Sequence, residues 1–245
     1  MKRSIIWKIL VYFIVYSVIG FLMETFYAIA TEGIFESRKS FIYGPFCIVY
    51  GLAAIILIFL LKRFKKNKIK LFINGMIIGA IIEYYSSYIG EVFLHVKWWD
   101  YSNSFLNING RTCLYYAIMW GILSIILIDY FNPKVDKIIN FVLSKISIKH
   151  CKTIILLITA FMILDGIISS IAIQNFLFRV SNNYSINIKG VNSKSIASIY
   201  FESKFPDSKM IMTYPNIIVI DERGNNLYLG SILSDLKKYY YKLGN

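Results

Sequence analysis

Carboxylates inside apolar segments are the residues of this sequence most able to do chemistry. Glu24, Glu83 and Asp165 lie within or at the ends of long apolar runs, and Glu91 follows Glu83 closely. Placing a charged side chain in a bilayer costs about 2.5–3.5 kcal/mol on insertion scales, so such groups normally face a bundle interior or a water-filled cavity. Carboxylates in a cavity of this kind favour a cationic ligand or coupling to protons.

One apolar segment carries a stripe of small, polar and acidic residues. Gly75, Gly79, Glu83, Ser87 and Glu91 recur at every fourth position, which places them on one slowly turning face of a helix. The Gly-x-x-x-Gly half predicts close packing against another helix, and the polar half predicts one wall of a cleft. The alternative is that all five residues make only interhelical contacts and hydrogen bonds.

A second cluster follows that stripe in the chain. Trp98 and Trp99 stand where an aromatic belt at the membrane surface is expected, next to Asp100, and Arg111 precedes the next apolar segment. Arg111 is predicted to pair with Glu91, Asp100 or Glu24, which would reduce the cost of burying a carboxylate. A salt bridge at the rim with interfacial anchors is the simpler alternative. The predicted cleft residues are Glu24, Glu83, Ser87, Glu91, Trp98, Trp99, Asp100 and Arg111.

The elements that must position these residues are apolar helices. The 245 residues are 57% hydrophobic and 17% charged, and the apolar runs of about 18–25 residues match a hydrocarbon core of roughly 30 Å. We predict an all-α integral membrane helical bundle with about five transmembrane helices and a small α/β C-terminal appendage. The transmembrane domain is residues 1–175 and the extramembrane tail is 176–245. The predicted spans are about 5–29, 46–61, 71–96, 113–131 and 153–173.

The net charge of +13 is concentrated in short loops between apolar segments. The run from Lys62 to Lys70 is the densest, and further lysines open the chain and occupy residues 132–152. This is the positive-inside pattern, and it argues against nucleic-acid binding. It predicts a cytoplasmic N-terminus, basic loops on the cytoplasmic side and an extracytoplasmic tail. Residues 134–149 have the amphipathic spacing of an interfacial helix, with an ordinary connecting loop as the alternative.

The tail differs in composition from the rest of the chain. Residues 210–221 are predicted as a strand, Glu222 to Asn226 as a turn, 227–233 as a second strand or helix start, and 234–243 as a helix. It contains no recognisable catalytic motif. Three cysteines without metal-type spacing predict neither a metal site nor a cofactor.

Several short motifs occur in the first four apolar segments and their loops. They are Tyr16-Ser17-x-x-Gly20-Phe21-x-x-Glu24-x-x-Tyr27, Gly44-Pro45-x-x-x-x-Tyr50-Gly51, Glu83-Tyr84-x-x-Ser87-x-x-x-Glu91, Trp98-Trp99-Asp100-Tyr101-Ser102, Gly110-Arg111-x-Cys113-Leu114 and Trp120-Gly121. On these motifs, about residues 10–130 resemble the prokaryotic CmpB-like, ABC-transporter type IV membrane family, and the fifth apolar segment resembles it weakly. The chain departs from the family pattern at Ile48 and Ser104, where proline is usual.

The resemblance implies a multi-pass permease in a prokaryotic cell membrane. No Gly-x-x-x-x-Gly-Lys-Ser/Thr phosphate loop occurs in the chain, so an ATPase that drives it would be a separate subunit. Two other functions remain open. The chain could be a membrane-embedded enzyme that acts on a lipid or envelope precursor, or a non-catalytic sensor or assembly factor. The partners expected on the transport hypothesis are the lipid bilayer, that ATPase and a small-molecule substrate of unknown identity, while a non-enzymatic role is favoured.

Overall fold

The computed structural model describes residues 5–33, 35–191 and 199–235, and most of them are helical. The predicted bundle of apolar helices is confirmed. Its six longer helices follow the chain in the order α1 to α6. They are α1 Ile5–Glu32, α2 Ile48–Leu61, α3 Lys68–Leu94, α4 Leu114–Ile126, α5 Asn132–Lys145 and α6 Ile148–Asn183.

Four described helical stretches are long and apolar enough to cross a membrane. They are Ile5–Thr31, Lys68–Leu94, Leu114–Lys145 and Ile148–Asn183. The second predicted span is α2, which has 14 residues and is therefore about 21 Å long, less than the roughly 30 Å of a hydrocarbon core. The expectation of about five transmembrane helices thus corresponds to four full-length candidates and one shorter apolar helix.

Helices α4 and α5 are joined without a loop. Residues Leu127–Phe131 form a π-helical turn between them, and Pro133 stands in the first turn of α5. Proline has no N–H to donate to the carbonyl four residues earlier and its ring clashes with that carbonyl. The wider π-helical turn accommodates this defect, since such turns add room within a helix. Residues 134–145 are therefore helical, as the amphipathic spacing predicts, and not a connecting loop.

The described residues form two compact units. The first comprises residues 5–21, 45–85 and 101–163. Its core includes the fully buried side chains of Tyr12, Leu57, Leu61 and Leu71, and Trp120 packs in the same cluster. It therefore unites the start of α1, all of α2, most of α3, the α4–α5 helix and the start of α6.

Two glycines bring α3 and α4 into backbone contact within this unit. A Cβ atom added at Gly79 would lie 2.3 Å from Cβ of Trp120, and one at Gly75 would lie 2.4 Å from Oγ of Ser124. Distances this short leave no room for any side chain. The Gly-x-x-x-Gly spacing therefore allows a close helix approach, as small residues do in membrane proteins.

The second unit contains residues 22–44, 86–100 and the described part of 164–235. Its tail has a two-stranded antiparallel sheet in which Val219 pairs with Leu227. The tail packs on the last turns of α6, where Phe176 and Leu177 are fully buried. Helix α6 continues to Asn183, past the predicted domain boundary at residue 175. The tail elements are α7 Ile199–Lys204, α8 Asp207–Thr213, β1 Ile218–Ile220, β2 Asn226–Tyr228 and α9 Leu229–Ile232.

The turn between β1 and β2 contains Gly224, whose φ of +85° suits glycine. Asp221 holds this turn, because its carboxylate accepts hydrogen bonds from the side chain and N–H of Asn225 and from the N–H of Arg223. These bonds, first of all the one from the Asn225 side chain, lower the pKa of Asp221. The predicted turn lies at this position, and the predicted helix over 234–243 lies almost wholly outside the described residues.

Gly79→Ala is expected to destabilise the protein by about 1–3 kcal/mol, because overpacking a tight contact forces the backbone or a buried ring to move. The unfolding free energy in detergent micelles measures this loss. Gly166→Ala on α6 is the matched control, since its Cβ would come no closer than 3.2 Å to the edge of the Phe41 ring. Equal losses for the two variants would contradict the proposed close approach at Gly79.

Candidate functional site

Glu83 is a buried carboxylate near the middle of α3. Its side chain is 6% exposed. The hydroxyl of Thr112 donates a hydrogen bond of 2.7 Å to one carboxylate oxygen, and the hydroxyl of Tyr101 donates one of 3.3 Å to the other. Both donors lie on the loop between α3 and α4. The loop therefore supplies hydrogen bonds that lipid cannot give to a polar group at this depth.

The loop holds these donors through its own hydrogen bonds. The N–H of Tyr101 donates to the carbonyl of Gly110 at 2.8 Å, and Ile108 and Thr112 form an antiparallel bridge. The side chain of Asn107 receives a bond from the N–H of Gly110 and donates to two carbonyls of the loop. The ring of Tyr101 also stacks on that of Tyr116 on α4, with centroids 4.4 Å apart. Tyr101 and Thr112 are therefore fixed before any ligand arrives.

Arg111 lies on the same loop but over an aromatic ring. Its guanidinium carbon is 5.8 Å from the centroid of Tyr84, the residue after Glu83. The Tyr84 hydroxyl accepts a 3.0 Å hydrogen bond from the side-chain amide of Asn109. Asn109 has a positive φ of 53°, a conformation that asparagine adopts more readily than most residues. Two consecutive α3 residues, Glu83 and Tyr84, thus attach the loop to α3.

The other predicted cleft residues belong to the second unit. Ser87 is buried on α3 at 1% exposure, Glu91 lies one turn further along, and Glu24 is half-buried near the end of α1. Trp98 is half-buried, with its ring centroid 5.5 Å from that of Tyr214 in the tail. A single cleft that unites these residues with Glu83 and Arg111 remains a prediction.

Asp100 binds the tail sheet. Its carboxylate accepts hydrogen bonds from the side-chain amide of Asn226 at 2.7 Å and from the hydroxyl of Tyr228 at 3.3 Å. Partial burial and the nearby Asp100 carboxylate raise the pKa of Tyr228. The carbonyl of the Asn226 side chain also accepts a bond from the Lys97 ammonium at 3.3 Å. Asn226 and Tyr228 therefore bind the carboxylate that was predicted to pair with Arg111, and no sequence pattern indicated these two partners.

The backbone next to the paired tryptophans is also bound to the tail. Lys97 and Ile218 exchange two backbone hydrogen bonds of 2.8 and 3.0 Å. Lys97 is therefore an edge partner of β1, opposite β2. The segment after α3 is fixed by the tail, although more than a hundred residues separate the two in sequence.

Asp165 on α6 is a second buried carboxylate, at 1% exposure. It accepts hydrogen bonds from the N–H groups of Tyr43 and Gly44 at 3.2 and 2.7 Å and from the hydroxyl of Ser169. The Ser169 hydroxyl in turn accepts a bond from the N–H of Ile42. Sequence reasoning identified Asp165 as a costly intramembrane acid but placed it outside the candidate cleft. The Gly44-Pro45 turn before α2 was the only signal that a loop meets it.

Lys39 lies close to this carboxylate. Its ammonium donates a 2.5 Å hydrogen bond to the carbonyl of Ile42. Burial lowers the pKa of Lys39, and the charge of Asp165 opposes this effect. Asp165 therefore stabilises the 39–44 loop through both hydrogen bonds and charge. Among the described residues, no group of three His, Cys, Asp or Glu side chains could hold a metal ion.

Comparison with known families bears on this arrangement. Residues 11–170 match the sequence profile of the family described as Putative ABC-transporter type IV. The chain belongs to this family. Neither the curated proteins nor the solved structures contain a significant match. The resemblance noted over about residues 10–130 is thus confirmed, and the match extends into α6 as far as residue 170.

The matched range of the chain includes both buried carboxylates, Glu83 and Asp165, with their hydroxyl and backbone donors. It also includes Asp100 but not the tail residues that bind Asp100. Residues from 171 onwards, which include the tail, lie outside the matched range.

Thr112→Val is expected to destabilise the protein by about 1–3 kcal/mol, because it keeps the side-chain shape but leaves the buried Glu83 without one donor. Unfolding in detergent micelles measures the change. Thr153→Val is the matched control, because the Thr153 hydroxyl bonds only the exposed carbonyl of Lys149 on its own helix. A loss at Thr112 no larger than at Thr153 would show that the Glu83 contact adds no stability.

Asn226→Ala is expected to loosen the segment after α3, because it removes the hydrogen bonds to Lys97 and Asp100. Amide hydrogen exchange across Lys97–Asp100 should become roughly 5–30-fold faster, equivalent to about 1–2 kcal/mol. Asn187→Ala, at an exposed position of the tail, is the control and should leave exchange at this segment unchanged. Unchanged exchange in Asn226→Ala would mean that the backbone pairing alone fixes the segment.

Proposed function

We propose that the chain is the membrane-embedded permease subunit of an ABC-type transporter, with Glu83 as the principal group of its substrate cleft. The observation that carries this proposal is the buried Glu83 carboxylate on α3, which accepts hydrogen bonds from two loop hydroxyls. The same helix packs tightly against α4 at its glycines. Ser87 and Glu91 would continue the same face of α3. The remaining cleft residues would be Glu24, Trp98, Trp99, Asp100 and Arg111.

The chemistry of Glu83 supports a cationic substrate or proton coupling. Thr112 and Tyr101, which donate hydrogen bonds to this carboxylate, are neutral hydroxyls. A carboxylate in a low-dielectric surrounding attracts a cation more strongly than one in water. Such a group can bind a cationic ligand or exchange a proton as the ligand arrives and leaves.

The energy source on this proposal lies in another chain. The sequence contains no phosphate loop, and hydrolysis of ATP requires a glycine-rich loop with a lysine that cradles the phosphates. A separate ATPase subunit is therefore the expected partner. It would bind on the side of the membrane where ATP is present.

The arrangement of loops supports an extracytoplasmic tail. The 35–44 and 95–100 segments follow α1 and α3, and they pack in one compact unit with the tail. The lysine-rich 62–67 loop precedes α3, whose 27 residues rise about 40 Å, which is long enough to cross a bilayer. If the lysine-rich side is cytoplasmic, the tail and the Trp98–Asp100 segment face outward.

Glu83→Gln is expected to reduce uptake at least tenfold, because it removes the charge and leaves a similar shape. Loss of a charged hydrogen-bond acceptor costs about 1.5–3 kcal/mol, which corresponds to roughly 10–150-fold. A host strain without the gene, complemented with each variant, is grown in defined medium. Mass spectrometry of the medium identifies the solutes that wild-type complementation depletes and measures their rate of depletion.

Glu222→Gln, in the exposed tail turn, is the control with the same chemical change and should restore uptake. Membrane levels of each variant are compared by immunoblot. Full uptake in Glu83→Gln at normal expression would exclude a central role for this carboxylate. If no solute is depleted by the wild type, the transport proposal itself is wrong.

A further inference from the structure

The first compact unit exposes a cationic surface where α5 turns into α6. Lys145 ends α5, and Lys149 and Lys152 lie in the first turns of α6; all three side chains are exposed. Only Ile146 and Ser147 separate the two helices. We call the three lysines, together with Trp7 at the start of α1, the headgroup patch.

The turn between α5 and α6 is well defined by hydrogen bonds. The hydroxyl of Ser147 accepts a bond from the N–H of His150 and contacts the His150 ring nitrogen at 2.6 Å. The N–H of Ile146 donates to the carbonyl of Val142. Lys145 and Lys149 therefore lie on either side of one turn, and Lys152 follows Lys149 after one turn of α6.

Contacts with α1 give the depth of this turn. Asn132 accepts a hydrogen bond from Tyr16, and Asp136, one turn later in α5, accepts a 2.5 Å bond from Tyr12 and pairs with Lys8 at 3.6 Å. Helix α5 therefore runs antiparallel to α1 and passes its first turns. The residues after Asp136 lie at or beyond the level where the apolar part of α1 begins.

The aromatic and cationic residues at this level mark a membrane surface. The ammonium of Lys152 lies 5.1 Å from the Trp7 ring centroid, and tryptophan and lysine prefer the headgroup region. Beyond Lys152, α6 becomes continuously apolar from Ile154, and α1 becomes so from Ile9. The headgroup patch therefore lies at the boundary between hydrocarbon and water.

Among the described residues of the first unit, the acidic side chains next to the patch in the chain are bound elsewhere. Asp136 is the only acidic residue from 132 to 152, and it is bound to Tyr12 and Lys8 on the side of α5 that faces α1. Asp129 is bound to Lys68. The outward face of α5 also exposes Ile138 and Phe141, at 62% and 63%, which suits contact with acyl chains.

We infer that the headgroup patch binds the phosphate groups of anionic phospholipids. Lys145, Lys149 and Lys152 supply the positive charge, Trp7 sits at the level of the headgroups, and Ile138 and Phe141 contact the acyl chains. A basic cluster beside an amphipathic helix is the recognised signature of anionic lipid contact. This inference is independent of transport, because it requires neither a substrate cleft nor an ATPase.

The test titrates the purified protein in detergent with phosphatidylglycerol or phosphatidylcholine and measures bound lipid by native mass spectrometry. The wild type should bind phosphatidylglycerol roughly 100-fold more tightly than phosphatidylcholine. The triple variant Lys145→Gln, Lys149→Gln, Lys152→Gln should lose about 100-fold of that affinity, since each lysine at an anionic surface contributes roughly fivefold. Phosphatidylcholine binding should not change.

The control variant replaces three exposed cations of the tail: Lys189→Gln, Lys204→Gln, Arg223→Gln. It should keep the wild-type preference for phosphatidylglycerol. An equal loss in the control, or a triple variant with unchanged affinity, would overturn the assignment. Unchanged lipid affinity in the triple variant would leave contact with another protein as the alternative role of this surface.

A measurement on the wild type alone covers the case in which the triple variant does not fold. Its preference for phosphatidylglycerol should fall steeply between 0.05 and 0.5 M salt, because exposed charges are screened over about 10 Å at 0.1 M and less at higher ionic strength. A preference that does not depend on salt would rule out a lysine site at the membrane surface.

Discussion

The fold depends on the absence of water around its polar groups. In a bilayer core, each hydrogen-bonding group must find its partner within the protein, since lipid offers none. Glu83 and Asp165 are the most demanding cases, because both are nearly inaccessible and both lie in apolar helices. Each is satisfied by a loop. Tyr101 and Thr112 bind Glu83, and the N–H groups of Tyr43 and Gly44 bind Asp165.

This pattern explains why the loops of the protein are ordered. A loop that supplies donors to a buried carboxylate cannot move away without leaving that carboxylate unsatisfied, at a cost of several kcal/mol in an apolar surrounding. The 101–113 loop is fixed to α3 in this way, and the 39–44 loop to α6. The same bonds that stabilise the helices therefore pre-organise the residues that would meet a ligand, which is a requirement for a selective site.

Sequence patterns predicted the apolar helices, because hydrophobic length and the spacing of small residues on α3 are local properties. They also predicted Glu83 as a buried acid and an interfacial helix over residues 134–149, of which 134–145 are helical in α5. The hydrogen-bond partners of Glu83 could not be found from sequence patterns. Thr112 lies 29 positions from Glu83, and no periodicity links a loop hydroxyl to an acidic residue on a helix. The extension of α6 to Asn183 was not predicted because Gln174, Asn175 and Arg179 interrupt the apolar run in the sequence. The pairing of Lys97 with Ile218 was not predicted because more than a hundred residues separate the two.

That pairing has a consequence for how the chain is made. Asp100 and Asn226 are 126 positions apart, so at about 5–20 residues per second the ribosome delivers the tail roughly 6–25 s after the segment that it binds. During that interval, all the later apolar helices are synthesised, while the backbone N–H and carbonyl of Lys97 have no β1 strand to pair with. The segment after α3 can take its final form only as a late step of biogenesis, when the last strands arrive and close the sheet around it.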